Sequence, residues 1–191
     1  ALKSLEIVKS SNSVPEHSIL STYSVVARSF LELGDFENAT NYSLENMDRL
    51  NKLNDVSNRD LAASYNLLGI NYKTIAEKTE DKSASIDNYE KAMYNYEKAF
   101  SLGSEVNFKE KLKRLRALLE CKLCESQITF ANKKVKKTKI NSLVDELNNT
   151  LIEIKKPEIS SLFAEGILKK NIDKLIETAE SAVFKLQKLY E

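Results

Sequence analysis

Tyr65-x2-Leu68-Gly69-x2-Tyr72, with Ala92-x3-Tyr96 and Ala99 downstream, repeats in steps of three and four residues. Only a helix brings such positions onto one face, where they form a stripe that can be buried. Gly69 leaves a notch in the first stripe. Ala92 and Ala99 keep the second stripe shallow, so two helices can approach closely while Tyr89 and Tyr96 fill the space between them. The motif predicts two packed antiparallel helices.

A second copy lies upstream: Tyr23-x2-Val26-Ala27-x2-Phe30, then Gly34-Asp35-Phe36 and Ala39, with alanine in the notch. The pair of copies resembles the tetratricopeptide repeat (TPR) family, whose pattern is W-x2-L-G-x2-Y, then A-x3-F, then a proline. An aromatic residue stands here for the tryptophan. Gly34-Asp35-Phe36 matches the turn between the two helices of such a repeat, although Ser43 occupies a position where an aromatic is usual. Twelve residues separate Ala27 from Ala39, the family's own spacing, but 23 separate Gly69 from Ala92. The eleven extra residues fall within Ile75 to Asn88, a polar stretch without proline. They predict longer helices joined by a turn near Asp81 to Ser85.

Working outward, Leu2, Leu5 and Val8 have helical spacing, and Pro15 stands where a repeat closes. Residues 1–11 therefore read as the second helix of a partial repeat, as in a piece of a longer solenoid or a cap. Residues 16–53 form repeat 1, and residues 60–102 form repeat 2 with extended helices. Asp60 is the expected N-cap of a helix starting at Leu61, and Gly103 ends the hairpin. Phe108, Leu112, Leu115, Leu119, Leu123 and Ile128 mark one further helix. Ile140, Leu143, Val144, Leu147, Leu151 and Ile154 mark its partner, so 107–155 reads as a degenerate third repeat.

Pro157 suits a first helical turn. From there 157–191 reads as a capping helix or helix pair, with a kink near Lys170-Asn171 where the step from Ile167 to Ile172 breaks register. The expected architecture is one all-α domain, 1–191, a TPR-like antiparallel helix-hairpin solenoid of about seven or eight helices.

Composition agrees: of 191 residues 42% are hydrophobic and 30% charged, with four glycines and two prolines, which leaves little turn chemistry for sheets. The net charge of +1 gives no general attraction to nucleic acid or anionic membrane. No apolar run reaches the roughly 18 residues of a membrane span, and the first residues lack a secretory signal. An intracellular protein, cytoplasmic or nuclear, is expected.

Residue types that carry chemistry are sparse. Cys121-Lys122-Leu123-Cys124 has the spacing of half a zinc site, but the chain has no other cysteine and its single histidine is His17. Zinc needs three or four protein ligands, so two buried thiols in a reducing compartment are the expectation. No glycine-rich phosphate loop and no nucleophile with a partnering base appear. The reading is no enzyme, no cofactor and no metal. Lys133, Lys134, Lys136, Lys137 and Lys139 form a basic run that could meet an anion or an acidic partner, with a solvated turn as the default.

The resemblance implies a concave face lined by the first helix of each repeat. On this chain Ser24, Arg28 and Leu31, then Asn66, Ile70 and Lys73, occupy those positions. The carboxylate clamp of TPR co-chaperones has a Lys and an Asn four apart on one inner helix and a further Asn on the next. Ser24, Arg28 and Leu67 stand there instead, which argues against that activity. The implied function is non-catalytic: a scaffold or adaptor that holds a partner helix or extended peptide. Alternatives are self-association through 172–190, or a membrane-trafficking adaptor that uses the basic turn 133–139.

Overall fold

Short polar side chains start three of the helices, and small residues set how closely they pack. A computed structural model describes residues 2–10, 15–103, 108–132, 135–163 and 166–190. Among these the chain is helical, without strands. The helices are α1 (Leu2–Ser10), α2 (Glu16–Glu32), α3 (Phe36–Asn51), α4 (Asn58–Lys78), α5 (Lys82–Leu102), α6 (Phe108–Ala131), α7 (Lys137–Lys155), the single turn α8 (Pro157–Ser160) and α9 (Gly166–Gln187). Two 3-10 turns, Ser161–Phe163 and Lys188–Tyr190, flank α9. Nine helices among the described residues exceed the expected seven or eight, because the C-terminal segment is divided.

The α2–α3 corner follows from Gly34. Its φ of +78° is the left-handed conformation that glycine adopts without strain. The Gly34 amide donates to Leu31 O (3.1 Å) and the Asp35 amide to Phe30 O (2.9 Å), the paired bonds of a Schellman ending. Asp35 then caps α3 by accepting from the Asn38 amide at 3.2 Å. The α4 start differs from expectation: Ser57, not Asp60, is the N-cap, accepting from the Asp60 amide at 3.1 Å. Asp60 sits in the first turn, where its carboxylate suits the helix dipole. Asp81 caps α5 through the Ala84 amide (2.7 Å), so that helix begins at Lys82 and the turn is shorter than predicted. The insertion becomes helix: α4 and α5 each run 21 residues, against 17 and 16 for α2 and α3.

The notch residues are buried as their spacing requires. Ala27, Ala39 and Ala92 are fully buried. A Cβ placed on Gly69 would lie 2.8 Å from the Tyr96 ring, so the ring itself fills the notch. Helices α1 to α6 pack in chain order, each on the next, and α2 also touches α4. Polar side chains bridge these contacts. Asn46 Nδ2 donates to Ser24 Oγ (3.2 Å) and Ser64 Oγ (3.1 Å), tying α2, α3 and α4 together. Buried Asn71 donates to Ala39 O (3.1 Å) and to Ser43 Oγ (2.7 Å). Ser43, a departure from the repeat pattern, is thus a hydrogen-bond acceptor where an aromatic ring would have packed.

Beyond α5 the plan changes. Helices α6, α7 and α9 each touch the other two, with α8 against α6 and α7. Between them lies one aliphatic cluster, with Leu119, Leu147, Ile154, Ile172 and Leu186 at its fully buried centre. The predicted kink at Lys170-Asn171 is absent, since α9 runs unbroken from Gly166 to Gln187. The interruption precedes Gly166, which takes φ +78°. The buried face of α9 includes Ile172, Leu175, Ala179 and Ala182. The seam Ile172, Ala179, Val183 and Leu186, offered by the sequence for self-association, is covered within the chain by α6 and α7.

Candidate functional site

Three helices that alternate along the chain, α2, α4 and α6, together with the end of α5, enclose a groove of about 860 Å³. Small side chains make its floor: Ala62 and Ala63 from α4, Ala99 from α5 and Ala117 from α6. Cations make its walls. Arg28 comes from α2, Arg59 from the first turn of α4, and Lys113, Arg114 and Arg116 from α6. Among the described residues Asp60 is the single carboxylate in the lining, and its Oδ2 accepts from Ser57 Oγ at 2.6 Å.

The α6 side of the groove is held against α5. Arg114 donates from Nε to Phe100 O (3.2 Å), and its guanidinium lies 4.3 Å from the centre of the Phe100 ring. Gly103 gives its side-chain stem room, for a Cβ there would fall 2.8 Å from Arg114 Cγ. This contact, not a left-handed backbone, is what requires glycine at the end of α5, where φ is −64°.

Of the six positions expected on the concave face, Arg28 and Asn66 line the groove together. The other four do not. Ser24 is engaged with Asn46 in the contact to α3. Leu31 is half-buried outside the lining. Ile70 packs on the cluster of Ala92, Tyr96, Cys121 and Cys124. Lys73 pairs with Glu120 of α6 at 2.6 Å, with Glu77 at 3.9 Å. Burial alone would lower the Lys73 pKa, but the charge and hydrogen bond of Glu120 outweigh it and hold the ammonium above its usual value. Ser24, Ile70 and Lys73 are thus turned toward neighbouring helices.

Arg59, Lys113, Arg114 and Arg116 are additions that the repeat pattern does not point to. A signal for the three on α6 exists in Lys109, Lys111, Lys113, Arg114 and Arg116, a basic run interleaved with the leucines of that helix. In the lysine run 133–139, Lys133 and Lys134 lie outside the described residues. Lys136 precedes α7 without a side-chain cap bond, and Lys137 and Lys139 in its first turn are exposed. Lys139 approaches Glu125 of α6 at 3.6 Å, in a set where Lys122 bonds Glu146 (2.5 Å) and Glu125 (3.2 Å). Those charges pin α6 to α7.

Cys121 and Cys124 are buried free thiols facing Tyr96 and Ala92. Burial pushes the Cys121 thiol up to about 12 and raises Cys124 likewise, the opposite of an activated nucleophile. Among the described residues no group of three or more His, Cys, Asp or Glu side chains is placed to hold a metal ion. No helix among them is long and apolar enough to cross a membrane. No family model, curated protein or solved structure matches the chain.

Proposed function

We propose that this chain is a non-catalytic protein-binding scaffold with TPR-like helix hairpins, which receives a segment of a partner protein in the groove between α2, α4 and α6. The observation that carries this reading is the origin of the groove: α2, α4 and α6 line it with the end of α5, and alanines from α4, α5 and α6 are part of that lining. Small side chains leave an open trough wide enough for a chain segment, and concave sites of this size are where ligands lose most water contact. Helix α3 acts as a spacer between α2 and α4, and α5 both spaces α4 from α6 and closes one end of the groove. The closely nested contacts at Ala39, Asn71 and Gly69–Tyr96 fix their distances.

A photo-crosslinking residue at Asn66, inside the groove, is compared with one at Ile152, exposed on the outer side of α7. In native extract Asn66 is expected to trap a discrete protein partner and Ile152 is not. Equal trapping from both sites, or none from Asn66, removes the groove from the account.

A further inference from the structure

Four of the chain's five arginines line one groove, although the protein as a whole carries 29 basic and 28 acidic residues. The fifth, Arg49, is engaged elsewhere with Glu16 and Tyr23. Among the described residues its lining holds five cations and one carboxylate, a local gathering of arginine that overall composition does not require, and Arg59, Lys113 and Arg114 already make contacts of their own. Among the described residues Arg28 and Arg116 have no ion-pair partner, in contrast to Lys73, which Glu120 occupies. A cleft lined by one sign of charge focuses its field and favours an occupant of the opposite sign.

The kind of anion follows from the rest of the lining. Arginine presents a planar fork that grips carboxylates in a bidentate manner. Ala62, Ala63, Ala99, Leu102 and Ala117 give an apolar floor beneath it. Among the described residues no aromatic side chain is in the lining, so they supply no stacking surface of the kind single-stranded nucleic acid uses. The Phe100 ring, which is nearby, is covered by Arg114.

We infer that the groove takes an acidic amphipathic segment of a partner protein, with Asp or Glu side chains set against Arg28 and Arg116 and small apolar side chains against the alanines of the lining. This inference rests on the protein-binding reading above and specifies its ligand.

The test uses the full chain and fluorescence anisotropy with four labelled probes. These are an Ala/Leu/Glu amphipathic helical peptide, the same peptide with Gln for Glu, the same with Lys for Glu, and a uridine-rich single-stranded RNA. The Glu peptide is expected to bind at least about tenfold more tightly than the Gln and Lys peptides and to weaken as salt rises. Joint Arg28→Glu and Arg116→Glu reversal is expected to reduce that affinity about tenfold or more. Joint reversal of exposed Lys169 and Lys170 on α9 should leave it unchanged. If the reversed variant melts early, Arg28→Gln with Arg116→Gln replaces it.

The inference is overturned if the Gln or Lys peptide binds as well as the Glu peptide, if the RNA binds more tightly than any peptide, if the α9 control loses as much affinity, or if no peptide binds. The photo-crosslink at Asn66 separates the two claims. A trapped partner whose cross-linked segment is neutral or basic leaves the scaffold reading standing and sinks the acidic ligand.

Discussion

The two ends of the molecule are held together by different means. Among the described residues, helices α6 to α9 share seventeen buried residues, all leucine, isoleucine, valine or alanine, in a single cluster. Helices α1 to α5 have no such common centre. Smaller groups of buried aliphatic side chains, such as Leu5, Ile19 and Val26, pack there with fully buried alanines and with Tyr23 and Tyr96, and buried asparagines donate across the helix interfaces. The aliphatic cluster is stabilised by the quantity of apolar surface it removes from water, which tolerates small shifts. The stacked contacts depend on shape and on hydrogen bonds whose loss leaves buried groups unpaired. A groove needs walls at fixed spacing, and the region built on shape contributes α2 and α4 to it.

The contrast can be broken most sharply at Leu147, which is fully buried in the aliphatic cluster. Leu147→Ala should lower unfolding free energy by about 3 kcal/mol, the usual range for such a truncation. Hydrogen exchange should rise in α7 and α9 well before it rises in α2 and α3. Uniform acceleration along the chain would mean that the two regions do not differ in the way described.

A smaller effect is expected at Gly69. Alanine is favoured over glycine inside a helix by roughly 1 kcal/mol, yet its Cβ would meet the Tyr96 ring at 2.8 Å. The clash should win, and Gly69→Ala should destabilise by about 1 to 2 kcal/mol in denaturant titration. In a Tyr96→Leu background the same change should become neutral or stabilising. A penalty that persists there would show that the ring is not what the glycine accommodates.

The smallest effect is alkaline. Cys121 rises from an ordinary value of 9.0 to about 12 through burial, and Cys124 and Tyr96 move in the same direction beside it. These acids hold their protons more tightly when folded. Their contribution to stability is therefore whole below about pH 9 and is lost as pH rises toward 12. Lys73, also held above its usual value, loses its Glu120 pairing over the same alkaline range. Stability should fall by about 1 kcal/mol per such thiol by about pH 10. Cys121→Ala should flatten that fall, and an unchanged slope would exonerate the thiol.

Much of this arrangement is legible in the sequence, and the parts that are not have a common cause. Three- and four-residue periodicity locates α2 to α7, and the Gly34 corner and the Gly69 notch can be read directly. Periodicity gives the face a helix buries, but not which later helix covers it. Ile70 is closed off by a cluster containing Cys121 and Cys124, and Lys73 by Glu120, 47 residues away. No local pattern announces such partners. The choice of Ser57 over Asp60 as a cap turns on two competent acceptors three residues apart, decided by where the chain arrives from α3. The arginines of α6 are masked in the sequence because they alternate with the leucine stripe that defines that helix.

Helix α6 carries two incompatible surfaces, alanine and cysteine toward α5 and leucine toward α7 and α9. A chain cut after Ala131 would turn Leu112, Leu115, Leu119 and Leu123 out to water while leaving the arginine groove nominally intact. Such a fragment would stick to itself through that leucine strip. Attempts to isolate the half that carries the groove must therefore carry the C-terminal helices along as a shield.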